Sequence, residues 1–515
     1  MRSKFLSLIF CIIAFGLTMV FVVNIIDPST STGVPDTSGK LTIEDETEQM
    51  DPVTLPQNTL PEADQLVTEE TVKTVSADLE KLFERLAYDS NKSYKEDFSK
   101  MAERLDACAE FLRDKKQDPS GSAYFTVLSA SLSEVMNTPF VDNSSFSVRM
   151  SAMLKNIEGA FPATQAPEKT AYPKLDTSAN GSVALAMLSV YRQQAVKDNS
   201  FTVSIGGSLI MADSASDLES SFDGKYAASQ KNYPLYGISP LTSTDDLSVI
   251  NLQNVLTENN ISNTLLTAIK GKPVYATTLK NSGVDLTVLS GAHLKDYGDQ
   301  GLADTKSVLE QNGIDAITFS SSVTKDTPAG KVAILTYDIS SAKAALVDAP
   351  KKDIAAAKAD GAVSVIVVLC RATSDSEPNA VDSIQTKTAR SAIDNGADLV
   401  VNYSQSVIQA IDSYKDRYIV YSPAVLYASC DKSSLDNSQS FIFQQSFTME
   451  NGKIIPSKLS ITPINNGSAD GSVPKLLLDE SAEQVIDSIA KYSSNTKYTR
   501  HGINKANIDY ICIKK

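Results

Sequence analysis

Histidine is almost missing from this chain, since only His293 and His501 occur among 515 residues. That count excludes a histidine-rich metal centre, because each divalent ion in such a site needs several imidazole or carboxylate donors. Cysteine does not make up the deficit. Cys11, Cys108, Cys370, Cys430 and Cys512 are scattered without a C-x-x-C pair, which disfavours a zinc cluster and leaves any disulfide pairing open. A basic excess is missing as well. Lys and Arg total 47 against 62 Asp and Glu, a net charge of -15 with a sequence pI near 4.8. Nucleic acid is therefore not an expected partner, and neither is flat docking on an anionic lipid surface, because both depend on clustered Lys and Arg.

What is present begins with one long uncharged run. Phe5 to Ile26 carries no charged side chain, and as a helix it would extend about 33 Å, enough for a hydrocarbon core of about 30 Å. Arg2 and Lys4 precede it and Asp27 follows, so the positive-inside tendency puts the N-terminus in the cytoplasm and the main body outside. Val22, Val23, Ile25 and Ile26 are too bulky for a small-x-small cleavage site, which favours an uncleaved single-pass anchor over a removed signal peptide. Cys11 follows the large Phe10 inside the run and reads as a membrane-embedded thiol rather than a lipid attachment site. Expected localisation is the cell membrane.

Composition then divides the chain. Residues 28–70 are rich in Ser, Thr, Pro and acid, as in Glu44-Asp45-Glu46, and read as a flexible tether that cannot bury enough surface to order itself. In residues 71–161, Val72, Val75, Leu79, Leu82 and Leu86 share one helical face, and Phe98, Met101, Leu105, Cys108 and Leu112 repeat the pattern. With the apolar stretches Tyr124 to Met136 and Phe146 to Ile157, these predict a small α-helical module, structural or partner-docking. Residues 162–200 read as a linker followed by a helix from Ser182 to Val196. Residues 201–498 alternate short Val/Ile/Leu-rich strands with helices, the signature of an α/β domain with both sheet faces covered. Asn451-Gly452 predicts a hairpin turn, and residues 499–515 read as a C-terminal tail whose polar start, Thr499-Arg500-His501-Gly502, holds a solvated His501.

From Phe201 to Tyr498 the landmarks resemble, in order and spacing, the CapA family of poly-γ-glutamate capsule synthesis proteins. The family's first strand ends in Gly-Asp where this chain has Gly206-Gly207, and its Asn-Leu-Glu is Asn251-Leu252-Gln253. Its Asn-Asn-His-Ala-x-Asp-Tyr-Gly is Gly291-Ala292-His293-Leu294-Lys295-Asp296-Tyr297-Gly298. Its His-Trp-Gly is Cys370-Arg371-Ala372, and its Gly-His-x-Pro-His-Val is the run from Asn402 to Val407. Tyr421-Ser422-Pro423-Ala424-Val425-Leu426 stands for Tyr-Ser-Leu-Gly-Asn-Phe. The resemblance implies a layered α/β sandwich of the calcineurin-like metallophosphoesterase type. It also implies a binuclear metal cleft at Gly207, Gln253, Ala292, His293, Asp296, Cys370, Ser404 and Ser406.

The residue types at those positions do not match that chemistry. Gly207 and Ala292 offer no donor, Gln253 has no charge, and Ser404 and Ser406 are neutral hydroxyls, so no metal or other cofactor is expected. His293 is the surviving catalytic-type residue; without metals it reads better as a hydrogen-bonded loop residue, with Asp296 bonding backbone amides beside it. Cys370 would be a nucleophile only beside His293, and a small buried thiol closing a strand is commoner. Ser204 to Ser208 reads as a tight turn rather than an anion cradle. A Ser404, His293, Asp398 triad lacks a nucleophile elbow. The sequence thus predicts a non-catalytic envelope protein whose partners are the membrane and, through binding, an anionic envelope polymer or the proteins that make it. Two alternatives stand beside it: an enzyme working through His293, Cys370 and Gln253 in a remodelled cleft, and a docking protein working through its helical module.

Overall fold

The computed structural model describes residues 67–88, 95–138, 142–160, 199–212, 222–229, 234–260, 268–341, 343–371, 378–403, 406–428, 438–467, 473–493 and 508–512, with residues 184–185, 187–188, 192 and 262. The expected anchor with Cys11, nearly all of the tether, the linker around residues 162–173, Ala372, Ser404, Cys430 and His501 lie outside them. Among the described residues no helix is long and apolar enough to cross a membrane.

Two β-sheets face each other. The first is built on β1 (Ser200–Ile210), β2 (Leu247–Leu256), β4 (Leu286–His293) and β5 (Asp315–Ile317), all parallel. It continues on the other side of β1 through β13 (Gln439–Glu450), β14 (Lys453–Asn465) and β15 (Lys475–Leu476), antiparallel in turn. Short strands β3 (Lys270–Gly271), β12 (Val425–Ala428) and β16 (Ile508–Tyr510) pair with β2, β1 and β14. The second sheet runs β10 (Ile411–Tyr414), β11 (Arg417–Val420), β9 (Leu399–Tyr403), β8 (Ala362–Cys370), β7 (Gly330–Asp338) and β6 (Ser322–Thr327). Its centre, β7 to β11, is parallel, and the outer pairs are antiparallel. Asn451 and Gly452, both with positive φ, join β13 to β14 in the hairpin that their residue types predict.

The period of two along each strand sorts side chains into three buried layers. Val203, Ile205, Val249 and Val288 from the first sheet meet Ile334, Ile366, Val368 and Val401 from the second. On the far side of the second sheet, Val365, Val367 and Val400 pack against Ile354 and Ala389, from helices α7 (Pro350–Ala359) and α8 (Ser383–Asp394). On the far side of the first sheet, Ile250, Leu252, Leu289 and Ile442 join the core of a helical bundle. The bundle comprises α1 (Glu69–Tyr88), α2 (Lys95–Lys115), α3 (Pro119–Asn137) and α4 (Asn143–Ala160), with α6 (Gly298–Gln311) and the short α5 (Phe222–Ser229) on the same face. Helix α9 (Asp479–Tyr492) adds Val485, Ile486 and Ile489 to the layer between the sheets. The result is a mixed α/β sandwich of α/β/β/α layers.

Each bundle helix buries the face that its sequence period defines. Phe98, Met101, Leu105, Cys108 and Leu112 are buried along α2, and α3 begins with Asp118 accepting the Gly121 N–H at 3.0 Å and Pro119 at its first turn. These helices share one continuous core with the sheet. A polar chain fastens the contact. The Arg192 guanidinium donates to Asn143 Oδ1 at 2.7 Å and to Gln444, which donates to Ser204 Oγ at 2.7 Å.

One local expectation changes. Ser204 to Ser208 is not a turn, because β1 runs straight through Gly206-Gly207 to Ile210. The glycines relieve crowding there by a shift in register against β2 instead of by reversing the chain. The end of the tail is held against the sheet and the bundle. Ile508 to Tyr510 pairs with β14, Tyr510 and Ile511 are 3% and 0% exposed, and the Cys512 N–H donates to Ser147 Oγ of α4 at 3.1 Å. Burial of those apolar side chains holds the end of the chain down.

Candidate functional site at the strand ends

The carboxyl ends of β1, β2 and β4 meet those of β8 and β9 where the sheets face each other, the usual place for a site in parallel α/β sheets. Two glycines shape the first sheet's side. A Cβ on Gly207 would fall 2.3 Å from the Ala424 carbonyl oxygen and 3.0 Å from Leu426 N, so any larger residue would collide with backbone. Gly291 has φ +144°, which L side chains avoid, and a Cβ there would lie 2.8 Å from Gln253 Cβ.

Behind these glycines the interior is filled by neutral groups bonded to one another. Asn251 Nδ2 donates to Ser208 Oγ at 2.9 Å, and the Ser290 hydroxyl donates to Asn251 Oδ1 at 2.6 Å. Ser290 also bonds the Cys370 thiol, which burial pushes up to about 12. At neutral pH the thiol keeps its proton, which leaves it a poor nucleophile. From the second sheet the Tyr403 hydroxyl crosses to the first and donates to the Gly206 carbonyl at 3.1 Å. Burial raises that phenol well above its ordinary range, so it stays a donor.

Most of the remaining sequence-picked residues are partly or fully exposed. Gly291 and Ala292 are exposed, Gln253 and His293 are half-buried, and Ser406 is exposed. His293 Nδ1 lies 2.8 Å from Asp296 Oδ2, and the same oxygen accepts the Ile269 N–H at 2.9 Å. Asp296 therefore ties the loop after β4 to the segment leading into β3, bonding the backbone amide of a distant segment rather than one of its own loop. Cys370 bonds Ser290 while His293 bonds Asp296, and no thiol–imidazole hydrogen bond forms among the described residues. Asp398 cannot complete a triad. It precedes β9, at the end opposite Tyr403, where it accepts the Val365 N–H at 3.0 Å and bonds Arg417.

A pair of divalent cations needs anionic and imidazole donors converging from several strand ends. The side chains here do not fit that need. Gly207 has no room for a carboxylate, Cys370 holds its proton, and among the described residues no group of three or more His, Cys, Asp or Glu comes together. Four residues that fill the centre are not among the sequence-derived site residues: Ser290 and Tyr403, and Ser208 and Ala424, which entered only within a turn and a motif. Tyr403 had a signal, since a tyrosine closes a Val-rich strand where the resembling family has His. The reach of the Ala424 carbonyl had none, because backbone contacts between distant segments leave no mark on residue type.

Residues 202–423 match the family model described as bacterial capsule synthesis protein PGA_cap. No curated protein matches the chain. Among solved structures, a hypothetical protein from Thermus thermophilus is similar at 12% identity and a TM-score of 0.32, covering 51% of this chain and 98% of its own. A novel phosphatase from Mycoplasma pneumoniae is similar at 12% identity and a TM-score of 0.32, covering 52% of this chain and 94% of its own.

Proposed function

We propose that this chain, whose residues 202–423 match the family model of bacterial capsule synthesis proteins, serves capsule or envelope polymer biogenesis as a non-catalytic binding or scaffold component. It would act outside the membrane, held there by the apolar run Phe5 to Ile26, and its ligand would be an anionic polymer of the poly-γ-glutamate type or a protein that makes or exports one. The observation that carries the non-catalytic part is the neutral, hydrogen-bonded interior at the strand ends. Ser208, Asn251, Ser290, Cys370 and Tyr403 offer no anionic donor there, and Gly207 cannot be replaced by one without moving backbone. An enzyme working through Cys370 is disfavoured by the same facts, since the thiol is buried, protonated and bonded to Ser290.

Three measurements on the chain in detergent test this reading. Elemental analysis after gel filtration is expected to find no stoichiometric transition metal, and a generic phosphoester is expected to survive incubation with Mn²⁺ or Zn²⁺. Retention of poly-γ-glutamate, or of capsule-synthesis proteins, by the immobilised chain is the positive result. Stoichiometric metal with metal-stimulated phosphoester cleavage would end the non-catalytic reading.

A further inference from the structure

The segment from Tyr421 to Val425 is held by every one of its carbonyls. The Tyr421 oxygen accepts from Asn402 Nδ2 at 3.1 Å, that of Ser422 from the Gln409 N–H at 3.1 Å, and that of Pro423 from Ser440 Oγ at 2.7 Å. The Ala424 oxygen accepts the Ser208 N–H at 2.9 Å, and the Val425 oxygen accepts from Asn466 Nδ2 at 3.1 Å. Asn402 belongs to the second sheet, while Ser208 and Ser440 belong to the first. The segment is therefore bonded to both sheets at once. Ala424 sits at φ +69°, a left-handed conformation that costs a non-glycine residue energy, and that turn aims its carbonyl at Gly207. Tyr403 makes the second crossing, from the end of β9 to the Gly206 carbonyl, with Cys370 buried behind it.

We propose that this arrangement is a plug that replaces a metal pair mechanically: the Ala424 carbonyl, beside β1 within the first sheet, fills the space over Gly207, the Tyr403 side chain ties the end of the second sheet to Gly206 of the first, and together they bar cations from the gap. The inference rests on the non-catalytic reading above and goes past it. Loss of donors alone would leave an open cleft that returning the donors could refill. A plug makes the loss steric, so donors restored one or two at a time would not recover metal. It also moves any ligand contact outward, to the rim of Gln253, Ala292 and His293.

The test restores donors and measures access. Gly207→Asp and the Gly207→Asp/Tyr403→His pair are titrated with Mn²⁺ or Zn²⁺ alone and analysed for bound metal. Less than ~0.1 ion per chain and a lowered melting temperature are expected. A variant that melts like the parent and holds an ion per chain would overturn the plug while leaving the non-catalytic reading of the parent intact. An ion per chain in the unsubstituted protein would overturn both. Should these variants fail to fold, site-resolved alkylation of the parent by N-ethylmaleimide supplies an independent reading. Cys370 is expected to react at least ~100-fold more slowly than half-buried Cys512, and Tyr403→Ala is expected to speed Cys370 by ~10-fold without changing Cys108 in the bundle. Equal rates for Cys370 and Cys512 in the parent, or no acceleration in Tyr403→Ala, would overturn the plug.

Discussion

His293 and Asp296 are joined by a 2.8 Å contact whose carboxylate oxygen also holds the backbone N–H of Ile269. The two residues therefore differ in what their loss exposes. Asp296→Ala strips a partner from a backbone donor as well as from the imidazole, which should cost about 1–3 kcal/mol. His293→Ala leaves the Ile269 bond in place and should cost less than about 1 kcal/mol. Denaturant unfolding of the two variants checks the order, and a larger loss for His293→Ala would contradict it.

Gly207 and Ala424 call for opposite substitutions. Ala424→Gly removes the left-handed penalty of about 1–2 kcal/mol and returns part of it as chain entropy, so a net gain of about 0.5–1 kcal/mol is expected. Gly207→Ala must push a Cβ against the Ala424 oxygen 2.3 Å away, and it should lower the melting temperature sharply. Calorimetry of both variants should move in opposite directions.

Removing residues 508–515 takes away a strand partner of β14 and two buried side chains, Tyr510 and Ile511. Loss of two large buried groups should cost at least about 3 kcal/mol. A truncated chain with an unchanged unfolding midpoint would contradict the assignment of the tail to the sheet.

Deleting residues 67–160 should leave the rest insoluble rather than merely unable to dock. Ile250, Leu252, Leu289 and Ile442 would lose their cover, exposing a patch beyond the few hundred Å² that soluble proteins tolerate. A soluble, monomeric deletion product with the parent's near-UV circular dichroism would show the bundle to be separable. Surface substitutions on the bundle are therefore the cleaner probe of partner docking.

Asp285 gives a pH signature. Burial raises its carboxyl above the ordinary range, with Asp315 and Asp246 adding to the rise and the Ser248 N–H and Lys325 opposing it. The folded state then holds this proton more tightly than the unfolded chain. The contribution is full below the unfolded carboxyl pKa and is lost as pH climbs through the folded one. Asp285→Asn keeps an oxygen for Ser248 and removes the titration. Its stability relative to the parent should improve as pH rises above the ordinary carboxyl range of about 4, as read by urea midpoints. A difference independent of pH would contradict the shift.

Much of the architecture was written in local pattern. Helical periodicity marked the buried faces of α1 and α2, apolar stretches marked α3 and α4, Val- and Ile-rich runs marked β1, β2, β4, β7, β8 and β9, and Asn451-Gly452 marked a hairpin. These signals are legible because burial of a regular element repeats every two or 3.6 residues. Strands β6 and β12 escaped notice because Ser322–Thr327 is polar and edge-exposed and Val425–Ala428 is very short. The tail strand escaped because its partner in β14 lies far back in the chain.

By itself the sequence determined which donors the strand ends lack, since composition and motif order are properties of the chain alone. Only the tertiary structure decided what took their place. The Ala424 carbonyl, the Tyr403 hydroxyl and the Ser290–Cys370 contact reach the centre from segments far apart in sequence. Whether a gap stands open or is filled depends on distances between segments, and no residue type encodes those without the packing that brings the two sheets together.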